Sequence, residues 1–347
     1  MLTRRHLLAL FTKLGLSSAS LRAAIPPGTF QIDRLQSEHA WSPARNAFRA
    51  YRADAVITLF SMPVFSRAGV GGGIATFGEG LDGGRRIVSM SFAGGSFPEH
   101  AHKINRLGYI QEVVLENREV VLENQELVLE NDNEPQEAAY FGFMTASPEE
   151  SVAEARKALA SSGASIPYAA VEGVTSRGQH RNSKTKIFLP SSYTFAEWRT
   201  LRDRIRAAFY ASDPSTTEIA APPRTLLYSV AQAIRRPAGR FETPYVYNGK
   251  QYHLKLEKTP DSGAGTAFVN KGLAASAAGV YLLRGSVKGL LSGRVTNFRL
   301  WIDDDSGTVL PLRIELQPRS FLRLAFEFDP ALSKGPLPKG PNSKDNA

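Results

Sequence analysis

Apolar and polar residues alternate along many short stretches of this chain, which is the pattern of β-strands that bury one face of a sheet. The alternation is clearest at Tyr252, Leu254 and Leu256, where His253 and Lys255 fill the positions between. We predict strands at 51–59, 86–92, 107–114, 138–144, 241–247, 250–257, 280–286, 294–302, 309–316 and 321–328. This series predicts an α+β fold that is predominantly an antiparallel curved β-sheet or half-barrel with a few packing helices.

Glycine-containing segments separate several of these strands. Asn248-Gly249 predicts a two-residue hairpin turn, because both positions of such a turn need positive φ. The glycine cluster at 69–73 is not followed by the Lys-Ser/Thr of a phosphate loop. It therefore indicates a bulge or a tight turn between strands.

Three segments have the period of amphipathic helices, at 147–160, 194–209 and 224–236. The second has a capping residue at Thr194, and its predicted buried stripe is Trp198, Leu201, Ile205 and Phe209. The predicted buried side of the third consists of Leu226, Leu227, Val230 and Ile234. The polar and basic stretch 178–186 before the second helix predicts an exposed loop or a strand edge.

A tandem repeat occupies residues 112–134. Val-Leu-Glu-Asn recurs at 114–117, 121–124 and 128–131, with a period of seven. Its apolar stripe is too thin for a coiled coil, and an odd period turns successive units to opposite faces of a strand. We interpret the repeat as a duplication that lengthens a hairpin and is the least essential part of the core, with a short isolated helix as the alternative.

Composition and charge exclude several classes of site. The chain has 347 residues, no cysteine and a formal net charge of +9. The absence of cysteine excludes disulfides, thiol nucleophiles and Cys-ligated zinc. The basic residues form no dense run interleaved with aromatic residues, so we predict no nucleic-acid partner.

The N-terminus has the order of an export signal. Arg4-Arg5 precedes a short apolar run and then small residues, as in a twin-arginine signal peptide. We predict a signal peptide at 1–23, a linker at 24–45, a β-rich domain at 46–330 and a disordered tail at 331–347. Two sub-sheets, 46–222 and 223–330, are the alternative division of the domain. The predicted location is periplasmic or extracellular, with no transmembrane segment after signal removal.

The loop at 93–108 has the densest chemistry. We predict a binding site there, formed by Glu99, His100, His102, Asn105 and Arg106. His100 and His102 would point to opposite faces of an extended chain, which argues against a shared metal ion. No metal, cofactor or catalytic residue is therefore assigned.

The segment 225–328 resembles a known bacterial envelope family. The order of Thr225-Leu226-Leu227-Tyr228, the 247–252 hairpin, Leu300-Trp301 and 310–313 is similar to that of the domain of unknown function 3108. The resemblance implies a curved antiparallel sheet with helices, in the style of periplasmic lipid- or lipoprotein-carrier folds. It implies no catalytic residue.

We therefore expect an exported protein that binds an apolar ligand such as a lipid, or an envelope protein partner, without catalysis. The first alternative is an exported hydrolase that uses the 96–106 loop with Ser96. The sequence contains no Gly-x-Ser-x-Gly nucleophile elbow, which counts against this alternative. The second alternative is a cell-surface assembly factor.

Overall fold

The computed structural model describes residues 43–59, 62–82, 85–101, 104–116, 121–123, 126–128, 135–145, 165–319 and 322–334. The strands are β1 (Pro43–Leu59), β2 (Met62–Asp82), β3 (Arg85–Ser96), β4 (Leu107–Glu116), β5 (Val121–Glu123), β6 (Glu126–Val128), β7 (Pro135–Thr145), β8 (Ser165–Ser176), β9 (Gln179–Pro190), β10 (Ser215–Ala220), β11 (Gly239–Tyr247), β12 (Lys250–Pro260), β13 (Val280–Gly289), β14 (Val295–Asp303), β15 (Arg313–Arg319) and β16 (Leu322–Phe328). The helices are α1 (Trp198–Ala211), α2 (Leu226–Arg235), α3 (Ser262–Asn270) and α4 (Pro330–Lys334).

Fourteen of these strands form a single antiparallel sheet, in the order β10-β9-β8-β7-β4-β3-β2-β1-β16-β15-β14-β13-β12-β11. The first and last strands pair in its middle, with Tyr51 opposite Phe328. The strands of 46–222 and of 223–330 are therefore continuous through this pair. The sheet is curved and unclosed, which confirms the broad fold class predicted from the alternation.

The local turn signals act as predicted. Asn248 and Gly249 have φ values of 50° and 62° in the β11–β12 turn. In the glycine cluster, the β1–β2 register shifts between Ala53 and Ala55, and Gly69 donates its N–H to Asp54 Oδ1 at 2.8 Å. The cluster is thus a bulge inside β2.

The outer face of the first half of the sheet is covered by α1. The predicted stripe of this helix is buried in full and packs on side chains such as Tyr109, Val113 and Phe141. Val114, which directly follows Val113 in the sequence, belongs to the core on the opposite face. Both faces of β4 are therefore covered, which explains why its sequence does not alternate.

The inner face surrounds α2. Its core includes residues from both halves of the sheet, among them Ala75, Val114, Leu254 and Leu300. The predicted stripe of α2 is only partly correct, because Tyr228, Ala231 and Ala233 are buried beside Ile234, whereas Leu226, Leu227 and Val230 are half-buried. A helix enclosed by a curved sheet contacts apolar side chains on several sides, so no single stripe defines its buried surface.

Charged side chains hold both ends of α2. Glu112 of β4, fully buried, accepts hydrogen bonds from the N–H groups of Leu227 and Tyr228 at 3.1 and 3.0 Å. Lys258 of β12 donates to the Ile234 and Arg236 carbonyl oxygens at 2.8 and 3.0 Å, and pairs with Asp304. An acidic side chain at the N-terminus of a helix and a basic side chain at its C-terminus both interact favourably with the helix dipole.

The repeat departs from its predicted role. Its first unit belongs to β4, where Val114, Leu115 and Glu116 are buried, so that unit is part of the core. β4 pairs directly with β7, and β5 and β6 form a separate two-stranded pair between them. The prediction that the repeat is the least essential part of the core is therefore wrong for 114–116, and its interpretation as a duplication that lengthens a hairpin stays a prediction.

Of the remaining predictions, one is wrong and two lie largely outside the described residues. The stretch 178–186 is not an exposed loop, because β9 lies between β8 and β10 and buries His180 and Asn182. The helix predicted at 147–160 and most of the predicted tail lie outside the described residues, and α4 extends to Lys334. No helix in the described ranges has the length and apolar character needed to cross a membrane.

Candidate functional site: the inner surface at the rim of the sheet

Alternate connections of an antiparallel meander lie at the same end of the sheet. One end carries the connections β1–β2, β3–β4, β7–β8, β11–β12, β13–β14 and β15–β16. We call this end the rim. Because α2 begins at Glu112 and extends away from the rim towards Glu79, it fills the inner space near the opposite end.

The inner face between Glu112 and the rim is apolar and incompletely covered. Met144 and Phe188 are 61% and 64% exposed, although their neighbours Phe143 and Ile187 are buried under α1. Further half-buried apolar side chains share this face. Together these side chains form what we call the inner apolar patch, which consists of Phe92, Ile110, Met144, Phe188, Tyr247, Tyr252, Val287, Phe298, Leu316 and Leu324.

Glycines form the floor of the patch. Register pairs Gly73 with Gly94, Gly94 with Gly108, and Gly108 with Met144. A Cβ added at Gly94 would lie 3.1 Å from the Phe92 ring, whereas at Gly108 the nearest atom would be the Phe143 oxygen at 3.8 Å. The surface at Gly108 is therefore open to a ligand, because no side chain of the described residues fills it.

Two lysines border the patch on β9. Lys184 and Lys186 alternate with residues on the α1 side, so they share the inner face with Phe188. Both are exposed, and neither has a carboxylate within 4 Å among the described residues. This edge therefore presents two exposed positive charges beside an apolar surface.

A buried polar network closes the patch on the side of β7–β9. The Tyr140 hydroxyl donates to Asn182 Oδ1 at 2.9 Å and accepts from the Asn248 N–H at 2.7 Å, and His180 Nε2 is 3.3 Å away. Thr175 Oγ1 lies 2.8 Å from His180 Nδ1. This network fixes the β11–β12 turn against the inner face of the other end of the sheet.

Burial dominates the electrostatics of this network. It lowers the pKa of His180 to about 4. Burial also raises the pKa of Glu112, although hydrogen bonds from the first N–H groups of α2 act in the opposite direction. These groups are enclosed and hydrogen-bonded, so they act in the scaffold below the patch.

The predicted loop residues separate into different environments. Glu99 and His100 are exposed in a turn of the β3–β4 connection at the rim, and His102 lies outside the described residues. Asn105 is buried and donates to the Tyr193 oxygen at 2.6 Å, and Arg106 is half-buried. The structure therefore brings the loop to the rim, but it does not place Glu99 and Asn105 in one surface.

The hydroxyl of Ser96 forms two hydrogen bonds within this loop. It donates to the Ile104 oxygen at 2.6 Å and accepts from the Arg106 N–H at 2.7 Å. Among the described residues, no group of three or more His, Asp or Glu is placed to hold a metal ion.

The outer face of the second half of the sheet carries a separate open groove of about 710 Å³. Arg240, Glu242, Lys255, Glu257, Arg284, Arg299, Glu315 and Arg323 supply its charges. Several of these are paired, as in Lys255–Glu242 at 2.9 Å and Arg240–Glu257 at 3.5 Å. A polar surface with several ion pairs is usual for the solvated face of an antiparallel sheet.

Comparison with protein-family models, curated proteins and solved structures finds no match to this chain. The resemblance to the domain of unknown function 3108 stays a prediction.

Sequence reasoning located the rim through the 93–108 loop but missed the inner apolar patch. Its signals were present as Gly94, Gly108 and Met144 in or beside predicted strands. The pairing register, which alone brings these residues side by side, cannot be read from strand alternation.

Proposed function

We propose that this chain is a non-catalytic binding protein that holds an anionic amphiphile, such as a long-chain fatty acid or a related lipid, on the inner apolar patch. The observation that carries the proposal is the glycine-floored surface at Gly108, bordered by half-buried and exposed apolar side chains on a curved sheet. Ligand sites are typically concave and apolar, with a few placed polar groups. Lys184 and Lys186 would supply those groups for a carboxylate or phosphate.

The proposed place of action is the cell envelope, outside the cytoplasm. The Arg4-Arg5 pattern and the apolar run of the N-terminus support this location. A carrier of amphiphiles is needed there because the hydrocarbon chain must be shielded from water between membranes.

Filling the floor of the patch tests the binding site. In Gly108→Phe the added ring would occupy the space of the ligand, and we expect about tenfold weaker binding, since losing the contact of about two CH₂ groups costs about 0.8 kcal/mol each. Titration with a fluorescent polyene fatty acid measures the affinity. The matched control, Gly108→Ala, adds a single methyl group in open space and is expected to bind within about twofold of the parent.

The binding site is refuted if Gly108→Phe, with an unchanged circular dichroism spectrum and unfolding midpoint, binds the fatty acid as the parent chain does. Absence of fatty acid binding by the parent chain would equally reject an anionic amphiphile as the ligand.

The lysines are tested by the charge of the ligand. The double substitution Lys184→Gln and Lys186→Gln should weaken fatty acid binding about fivefold, since exposed charge pairs contribute on the order of 0.2–1 kcal/mol each. Binding of a fatty alcohol of the same length should stay unchanged in competition with the fluorescent probe. Lys255→Gln, on the outer face, serves as the control. Equal losses for acid and alcohol would contradict the role of the lysines as head-group ligands.

A further inference from the structure

The β13–β14 connection at the rim presents an unusual apolar tip. Leu291 is 90% exposed, and Leu290 and Val295 are about half exposed at 51% and 52%. Three large apolar side chains within six residues form a cluster that a solvated hairpin turn does not need.

The tip is held in place by its own backbone. The Gly289 N–H donates to the Arg294 oxygen at 3.0 Å, and the Gly293 N–H donates to the Gly289 oxygen at 2.8 Å. Gly293 has a φ of 64°, which closes the turn without strain. The Leu290 N–H donates to the Gln251 oxygen at 3.1 Å, which ties the tip to the neighbouring strand. The leucines are thus presented outward by a fixed turn.

The charge around the tip has one sign. Residues 286–298 contain Lys288 and Arg294 and no acidic residue, and the adjoining β11–β12 turn contributes Lys250. Leucines surrounded by basic residues complement a bilayer that contains anionic lipid, since the leucines enter the acyl boundary and the basic residues meet the head groups.

The tip also adjoins the inner apolar patch. Gly289 pairs with Tyr252, and Val287 pairs with Leu254 two residues earlier along β13. Tyr252 and Val287 are both members of the patch, so the tip lies beside the part of the patch that β12 and β13 contribute.

We propose that the β13–β14 tip docks the protein on an anionic lipid bilayer, with Leu290 and Leu291 inserted between the lipids. The proposal rests on the proposed function for its purpose, because docking would bring the β12–β13 side of the inner apolar patch close to a source of amphiphiles. The docking itself stands on the tip alone.

Vesicle co-sedimentation tests the docking. The full chain is expected to bind phosphatidylglycerol–phosphatidylethanolamine vesicles, and to bind less at high salt. The double substitution Leu290→Ser and Leu291→Ser should weaken the partition at least about tenfold, since each leucine loses its apolar contact with the bilayer. The matched control is Leu81→Ser, which changes a leucine that is also 51% exposed but lies at the opposite end of the sheet, and it should bind as the parent does.

Fatty acid titration of the same variants separates this proposal from the proposed function. The tip variant should keep its affinity for soluble fatty acid, and Gly108→Phe should keep its affinity for vesicles. No vesicle binding by the parent chain, or equal binding by the tip variant, overturns the docking. A parent chain that is dimeric in analytical ultracentrifugation and becomes monomeric with the tip variant also overturns it, because the leucines would then bind a second copy.

Discussion

Replacing Glu112 by Ala is expected to lower the free energy of unfolding by about 3–5 kcal/mol, which is a large part of the stability of a typical domain. The carboxylate is fully buried and accepts two hydrogen bonds from the first turn of α2. Its removal leaves two enclosed N–H groups without an acceptor, and each such group costs on the order of 1–3 kcal/mol. The same change removes the negative charge at the positive end of the helix.

Urea unfolding followed by tryptophan fluorescence measures this effect. Glu218→Ala, at an exposed position of β10, is the control and should change stability by less than about 0.5 kcal/mol. A loss below about 1 kcal/mol for Glu112→Ala would show that α2 does not depend on β4 for its attachment.

Acid should weaken the fold through His180, by about 3 kcal/mol between pH 7 and pH 4. Burial lowers the pKa of His180 to about 4, whereas the unfolded chain has a histidine pKa of about 6.5. Above pH 6.5 both states hold the neutral ring, and the contribution is fully present. As the pH falls below 6.5 the unfolded chain takes up a proton that the folded chain does not, so this contribution is lost towards pH 4.

Urea unfolding of the parent chain and of His180→Gln at several pH values isolates this contribution. The glutamine variant should be less stable at pH 7, because the contacts with Thr175 and Tyr140 change, but its stability should fall less towards pH 4. Parallel slopes for the parent and His180→Gln would mean that His180 does not cause the acid sensitivity.

The elements that sequence patterns predicted well are those with a single covered face. The α1 stripe from Trp198 to Phe209 faces one side of the sheet, and its helical period is visible in the sequence. The Asn248-Gly249 turn depends only on local backbone geometry. Both could be predicted because neighbouring residues alone determine them.

The elements that patterns misjudged are covered on more than one side. β4 places Val113 and Val114 in different cores, and β9 buries His180 within a polar stretch. In each case the decisive neighbour comes from a distant part of the chain, as Asn248 does for Tyr140. The candidate site was missed for the same reason, because Gly94, Gly108 and Met144 become neighbours only through pairing.

The pairing of β1 with β16 has a consequence for how the chain folds. In the middle of the sheet, β1 and β16 are the first and the last of the described strands along the chain, so the edge of β1 that pairs with β16 has no partner until β16 has been synthesised. Contacts of such long sequence separation slow folding, and an unpaired strand edge invites pairing with other chains. Truncation before Leu322 should therefore yield a chain that aggregates, because the edge of β1 would stay unpaired.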